Sequence, residues 1–210
     1  TYQGGSQIFK TTDGGVSFTA LDGMPETSSP QAMGENLLIT INTNRIYVSM
    51  DGGMTSEYIP MPVDGMTSLN GGHFLSADTT LYLVGSAGMV MKTQDLGQSF
   101  VHLNALPREN LQSICLNENG EGYAIGGKFH VAHTTDHGEN WSFVDWGEDH
   151  RFYQSVVATG ANRFLIGTEA GIQIVENNNI VSTVERSCYL LYKSPYNGDI
   201  FAVFSDLGLV

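Results

Sequence analysis

The sequence has few positive charges and no long apolar run. Nine Lys and Arg residues stand against 22 Asp and Glu residues, which gives a net charge of −13. A chain this acidic lacks the basic patches through which nucleic acids and anionic membranes are bound, so neither is expected as a partner. No run of about eighteen apolar residues is present, and the opening TYQGGSQIFK has no signal-peptide pattern, so membrane insertion is not expected either.

Metal-binding and disulfide patterns are also missing. The two cysteines, Cys115 and Cys188, are too few and too far apart for a disulfide framework, and they predict buried thiols. His130 and His133 lie three residues apart on a predicted strand, so their side chains face opposite ways and cannot share a metal ion. The Asp-Gly-Gly turns lack the alternating carboxylates of a calcium loop. No metal and no cofactor is therefore expected.

What the sequence does contain is a repeat. Four segments read Ser/Thr-x-Asp-x-Gly, each at the end of an apolar run, and their key residues are Asp13 with Gly15, Asp51 with Gly53, Asp95 with Gly97, and Asp136 with Gly138. The four aspartates recur about every 40 residues, a period that matches four short strands with their turns. A fifth, decayed copy, in which asparagines replace Asp and Gly, covers Ile172–Ile180. The chain is therefore expected to form one domain over residues 1–210.

The repeated segment, which we call the Asp turn, predicts a reinforced hairpin between antiparallel strands. Its carboxylate can accept hydrogen bonds from the turn's own N–H groups, and its glycine can adopt a positive φ. An aromatic residue downstream, such as Trp141, can pack between neighbouring units. The Asp, Gly and Trp positions are therefore predicted to be structural. In the most complete copy the four strands are predicted at Ser113–Leu116, Tyr123–Ile125, Phe129–His133 and Trp141–Val144.

These residues resemble the Asp-box (BNR) repeats of sialidase-like and sortilin-like β-propellers, and Leu111–Trp141 is most similar to the photosystem II assembly-factor type. The resemblance implies an all-β fold, a β-propeller of five four-stranded blades. One blade would be completed by both termini, with two strands from Ile8–Lys10 and Ser17–Ala20 and two from Tyr189–Lys193 and Ile200–Phe204. The alternative is a fragment of a larger propeller, because Leu209 and Val210 read as the start of a further strand.

In such a propeller, the connection from the outermost strand of one blade to the innermost strand of the next borders the central channel. The richest connection is Asp145–Tyr153. An exposed indole beside paired polar groups suits sugar or peptide recognition. The candidate ligand-binding residues are therefore Trp146, Glu148, Asp149, His150 and Arg151, with Arg108 from the neighbouring connection. The alternative interpretation is a solvated turn in which Trp146 packs beneath the rim and the charges pair with one another.

The favoured function is a non-enzymatic recognition or structural module that binds a glycan or a protein surface, in an extracellular, periplasmic or virion-associated setting. A first alternative is an assembly factor or chaperone resembling the photosystem II type. A second is a glycoside hydrolase, which needs two carboxyl groups facing each other across a sugar. Nothing in the sequence fixes such a pair, so no catalytic residue is assigned.

Overall fold

The computed structural model describes residues 7–25, 31–33, 36–42, 45–60, 69–75, 79–95, 97–103, 110–127, 130–147, 152–194 and 197–204. Over these ranges the chain consists of β-strands joined by turns, with one short 3-10 segment at Ser86–Gly88. The predicted all-β class is confirmed. None of the helical structure in these ranges is long and apolar enough to cross a membrane.

Four consecutive stretches each fold into a four-stranded antiparallel sheet whose strands pair in chain order, and we call these sheets blades 1 to 4. Blade 1 contains β3 (Gln31–Met33), β4 (Leu37–Asn42), β5 (Arg45–Ser49) and β6 (Glu57–Pro60). Blade 2 contains β7 (Leu69–Leu75), β8 (Thr80–Gly85), β9 (Val90–Thr93) and β10 (Val101–Leu103). Blade 3 contains β11 (Leu111–Leu116), β12 (Gly122–Gly126), β13 (His130–Thr134) and β14 (Ser142–Phe143). Blade 4 contains β15 (Tyr153–Gly160), β16 (Arg163–Thr168), β17 (Gly171–Glu176) and β18 (Asn179–Val184).

Two hairpins flank these blades. The N-terminal hairpin pairs β1 (Phe9–Lys10) with β2 (Thr19–Ala20), and the C-terminal hairpin pairs β19 (Cys188–Lys193) with β20 (Ile200–Phe204). Each is a separate two-stranded sheet, so across the described ranges the two hairpins do not form the single four-stranded blade that the repeat phase predicts. Residues 1–6 and 205–210, which would lead into β1 and out of β20, lie outside the described residues.

The blades pack face to face and bury the core between them. Between blades 3 and 4, Tyr123 and Ile125 on β12 meet Phe164 and Ile166 on β16, and all four are fully buried. Similar clusters lie between the other neighbouring blades and between blade 4 and the C-terminal hairpin. The second strands of blades 2 and 3, β8 and β12, are buried along their whole length, because both faces of these two blades are covered.

The four Asp turns share one set of hydrogen bonds. In each, a Ser or Thr hydroxyl donates to the aspartate, and the glycine N–H donates back to that hydroxyl. The N–H group four residues after the aspartate also donates to its Oδ1, at 2.9 Å. The side-chain bond from Ser99, followed by its backbone N–H, lowers the pKa of Asp95 to about 2. Equivalent bonds lower the pKa values of Asp13, Asp51 and Asp136.

Three of the four Asp turns also touch the preceding repeat. Gly53 has a φ of +95°, and a Cβ added there would meet the side chain of Leu21 from the N-terminal hairpin at 2.6 Å. One repeat later a Cβ at Gly97 would meet Ile59, and after another repeat a Cβ at Gly138 would meet Leu103. These three glycines are therefore required for two reasons, the left-handed backbone and the close contact with the neighbouring unit.

Candidate functional site

The inner strands β7, β11, β15 and β19 line a cavity of about 1070 Å³, which is the central channel of the molecule. The end at which these strands begin, which we call the upper mouth, is lined by Asn70, Gln112 and Gln154. The opposite end is lined by residues such as Asn117 and Ser194. A cavity of this size matches the volumes that proteins use to hold small ligands or short chain segments.

The inner strands leave one sheet edge facing the channel, and side chains from neighbouring inner strands cover part of it. Three bonds near the strand starts link successive strands: Asn70 Nδ2 to the Leu111 carbonyl at 2.8 Å, the Val156 N–H to Ser113 Oγ at 3.3 Å, and the Leu191 N–H to Ser155 Oγ at 3.0 Å. Near the strand ends, Lys193 Nζ donates to the Ala158 carbonyl at 2.9 Å. These contacts satisfy edge groups that would otherwise need water or a ligand.

His73 and Cys115 lie side by side in the channel wall, with 4.0 Å between Nε2 and Sγ. A thiol beside an imidazole can act as a nucleophile when the thiol ionises. Here burial raises the pKa of Cys115 to about 12 and lowers the pKa of His73 to about 4. His73 Nε2 is held 3.0 Å from the Leu116 carbonyl, so this nitrogen carries the proton. The Cys115 sulfur accepts the Ala158 N–H at 3.3 Å, so the pair is a neutral structural contact.

His133 is likewise occupied by a structural contact. Its Nε2 lies 3.1 Å from Glu121 Oε1, and its ring stacks on Tyr123 with centroids 4.7 Å apart. Within the ranges that the structure describes, no three His, Cys, Asp or Glu side chains gather in an arrangement that could hold a metal ion.

A β-bulge recurs at the start of the inner strands. The pairing with the second strand shifts by one residue at the second position of β7, β11, β15 and β19, and the bulged residues are Asn70, Gln112, Gln154 and Tyr189. A bulge leaves one residue out of the ladder and changes the direction of its side chain. Three of the four residues carry carboxamides, and these three line the upper mouth of the channel. None of the three carboxamides is among the residues predicted from the sequence, although they recur about one repeat apart.

Most of the predicted ligand-binding residues, Arg108, Glu148, Asp149, His150 and Arg151, lie outside the described residues. Trp146 is described. Its indole is half-buried between blades 3 and 4, where Nε1 donates to the Asn178 carbonyl at 3.1 Å. Its ring lies 5.8 Å from Tyr123 and 6.4 Å from Tyr153, measured between centroids. In this arrangement Trp146 packs against the turn of the next blade, as Leu103 does one repeat earlier.

Solved structures of other proteins share this architecture. The chain aligns with YCF48 from Cyanidioschyzon merolae at 12% identity and a TM-score of 0.70, covering 96% of this chain and 74% of that one. A structure of YCF48 bound to a D1 peptide aligns at 17% identity and a TM-score of 0.67, covering 94% of this chain and 68% of the other. An ancestral GH74 enzyme aligns at 14% identity and a TM-score of 0.69, covering 89% of this chain and 30% of the enzyme.

The fold is a β-propeller. This agrees with the predicted propeller class. Because the sequence identities are low, the likeness to these proteins shows the fold and nothing about function. No protein-family model matches the chain, and no curated protein sequence matches it. Blades 1 to 4 and the flanking hairpins are therefore parts of a propeller whose function has to be argued from its own channel.

Proposed function

We propose that this propeller is a non-enzymatic binding module that takes up an extended segment of another protein at the upper mouth of its channel. The observation that carries the proposal is the channel of about 1070 Å³ whose upper mouth is lined by uncharged carboxamides on successive inner strands. Strand edges and carboxamides offer hydrogen-bond donors and acceptors, which suit a peptide backbone. The structural likeness to YCF48, a propeller seen with a D1 peptide, supports this choice of ligand class.

A peptide fits the described contacts better than a glycan does. The sequence predicts sugar or peptide recognition by an exposed indole, whereas the Trp146 indole is half-buried between two blades and its N–H donates to the Asn178 carbonyl. Stacking on a sugar ring needs an exposed aromatic face, whereas hydrogen bonds to a peptide backbone do not. The connections containing Arg108 and residues 148–151 run directly into β11 and β15 in the sequence. We propose that their charged side chains add selectivity for the residues flanking the bound segment.

The channel chemistry also favours binding over hydrolysis. Glycoside hydrolysis needs a pair of carboxyl groups, and Glu118 is the one carboxylate among the described residues that line the channel. The thiol of Cys115 is held neutral by burial, which raises its pKa to about 12. We also propose that the four Asp turns are Asp-box repeats with a purely structural role.

Selection of short random peptides displayed on messenger RNA, with the immobilised protein as bait, tests the proposal. A Gln154→Trp variant puts an indole into the upper mouth, and Ser182→Trp adds the same indole to the exposed outer strand β18 as the matched control. The proposal expects selected peptides to bind the wild-type protein and the Ser182→Trp variant but to bind Gln154→Trp at least roughly tenfold more weakly. Equal binding to all three proteins, or recovery of no peptide, would contradict it.

The second candidate is a role in assembling a larger protein complex, which the sequence resemblance of Leu111–Trp141 to the photosystem II assembly-factor type favours. This role would use the same channel to hold one subunit. It predicts that a subunit of one defined complex co-purifies with the wild-type protein and is lost with Gln154→Trp. Unchanged co-purification of the subunit with the Gln154→Trp variant would show that assembly does not use the channel.

A further inference from the structure

From the bulge geometry we infer that Gln112 and Gln154 contact the main chain of the bound segment, so that the upper mouth recognises peptide backbone more than side chains. This inference rests on the proposed function and specifies how the same site works. The two residues occupy the same position in successive inner strands, β11 and β15. Their carboxamides line the channel from neighbouring blades.

The backbone around these bulges is held in place by packing. The carbonyl group of Gln112 lies against Gly71 of the preceding inner strand, where an added Cβ would approach the oxygen to 2.5 Å. The residues that follow the two bulges, Ser113 and Ser155, bond to the next inner strand. The interblade contacts are therefore made by these neighbours, and the glutamine side chains are not needed for them.

The two carboxamides are available for a ligand. Asn70, at the equivalent bulge of β7, already donates its Nδ2 to the Leu111 carbonyl. Gln112 is exposed and Gln154 is half-buried. Among the interactions of the described residues, neither carboxamide has a hydrogen-bond partner. Two polar groups at one mouth of a cavity are thus without a protein partner although each could make several hydrogen bonds.

Carboxamides match the chemistry of a peptide unit. Each offers N–H donors and a carbonyl acceptor, and the peptide unit offers one of each. Because the groups are uncharged, they recognise the backbone without regard to the charge of the ligand's side chains. The expected ligand class is therefore an extended, hydrogen-bonding polypeptide segment of varied sequence. Contacts other than those of the two carboxamides would determine which peptide sequences the protein prefers.

The test replaces both glutamines by methionine, which keeps the length and volume of the side chain but removes the hydrogen bonds. The probe is the tightest peptide recovered from the random library, titrated calorimetrically. The control is Gln98→Met, an exposed glutamine in the turn between β9 and β10. We expect Gln112→Met/Gln154→Met to keep its melting temperature and to bind roughly tenfold or more weakly, whereas Gln98→Met binds like wild type.

A backbone N-methyl scan of the same peptide shows whether Gln112 and Gln154 contact its main chain. N-methylation at one or two positions should weaken binding to the wild-type protein, and the same changes should have little further effect on the Met/Met variant. If the Met/Met variant binds like wild type while Gln154→Trp does not, this inference is wrong and the proposed function stands. If neither change weakens binding, the proposed function is wrong as well.

Discussion

The hydroxyl group of Tyr82 donates a hydrogen bond of 3.0 Å to the carbonyl group of His137, joining the second strand of blade 2 to the Asp turn of blade 3. The contact recurs one blade later, where the Tyr123 hydroxyl donates to Asn178 Oδ1 at 3.1 Å. There the Asp turn has decayed, and Trp146 adds a bond to the Asn178 carbonyl. Blades 2 and 3, and likewise blades 3 and 4, are thus joined by a buried tyrosine and the next turn, whether or not that turn keeps its aspartate.

Replacing Tyr82 by Phe should destabilise the protein by about 1 kcal/mol, because the His137 carbonyl loses a buried partner while the ring packing is kept. Chemical denaturation measures the loss. Tyr58→Phe is the matched control, since the Tyr58 side chain is 51% exposed. Equal stability of Tyr82→Phe and the control would mean that the interblade bond contributes nothing measurable.

Alanine substitutions at Gly15 and Gly53, which occupy the same position in successive Asp turns, distinguish the cost of backbone strain from the cost of crowding a neighbouring unit. Gly15 and Gly53 have φ values of +94° and +95°, so alanine is strained equally at both. At Gly15 the nearest atom to an added Cβ is 4.0 Å away, whereas at Gly53 it is Leu21 Cδ1 at 2.6 Å. Gly53→Ala should therefore cost about 1–3 kcal/mol more than Gly15→Ala in unfolding free energy. Similar costs would show that Leu21 moves aside freely.

The Asp turns should make the stability of the fold depend on acid pH. The folded-state pKa of Asp95 is about 2, below the value of about 3.9 expected for an unfolded chain. A lowered pKa adds stability that is complete above about pH 4 and is lost as the pH falls towards about 2. Asp95→Asn should therefore melt lower than wild type at neutral pH, and the gap should narrow below about pH 4. The control Gln98→Met, at an exposed position of the same turn, leaves the Asp95 carboxylate in place and should follow the wild-type dependence on pH.

The sequence predicted the fold well because the fold is carried by a repeat. The strand order, the Asp turns and the third blade follow from local residue types, and the predicted strand at Ser113–Leu116 lies inside the observed β11. The site was harder to predict, because a bulge at Gln112 or Gln154 depends on how two inner strands meet, which no local pattern shows. The sequence leaves two interpretations of Trp146 open, an exposed ligand contact and an indole packed beneath the rim, and the half-buried position of the indole agrees with the second.

The free cysteines should be unreactive in the folded protein. Cys115 and Cys188 are buried, and burial raises the pKa of both thiols. A thiol reagent added at mildly alkaline pH should therefore label neither residue until denaturant is added, when both should react. Fast labelling of Cys115 in the folded state would mean that its thiol is ionised and open to the channel.

The central claim, that the channel takes up a peptide at its upper mouth, is tested most directly by photo-crosslinking. A peptide selected on the protein is resynthesised with a benzophenone side chain, irradiated in the complex and mapped by mass spectrometry. Our account predicts crosslinks to the first residues of β11 and β15, around Gln112 and Gln154. Crosslinks confined to outer strands such as β14 and β18 would contradict it.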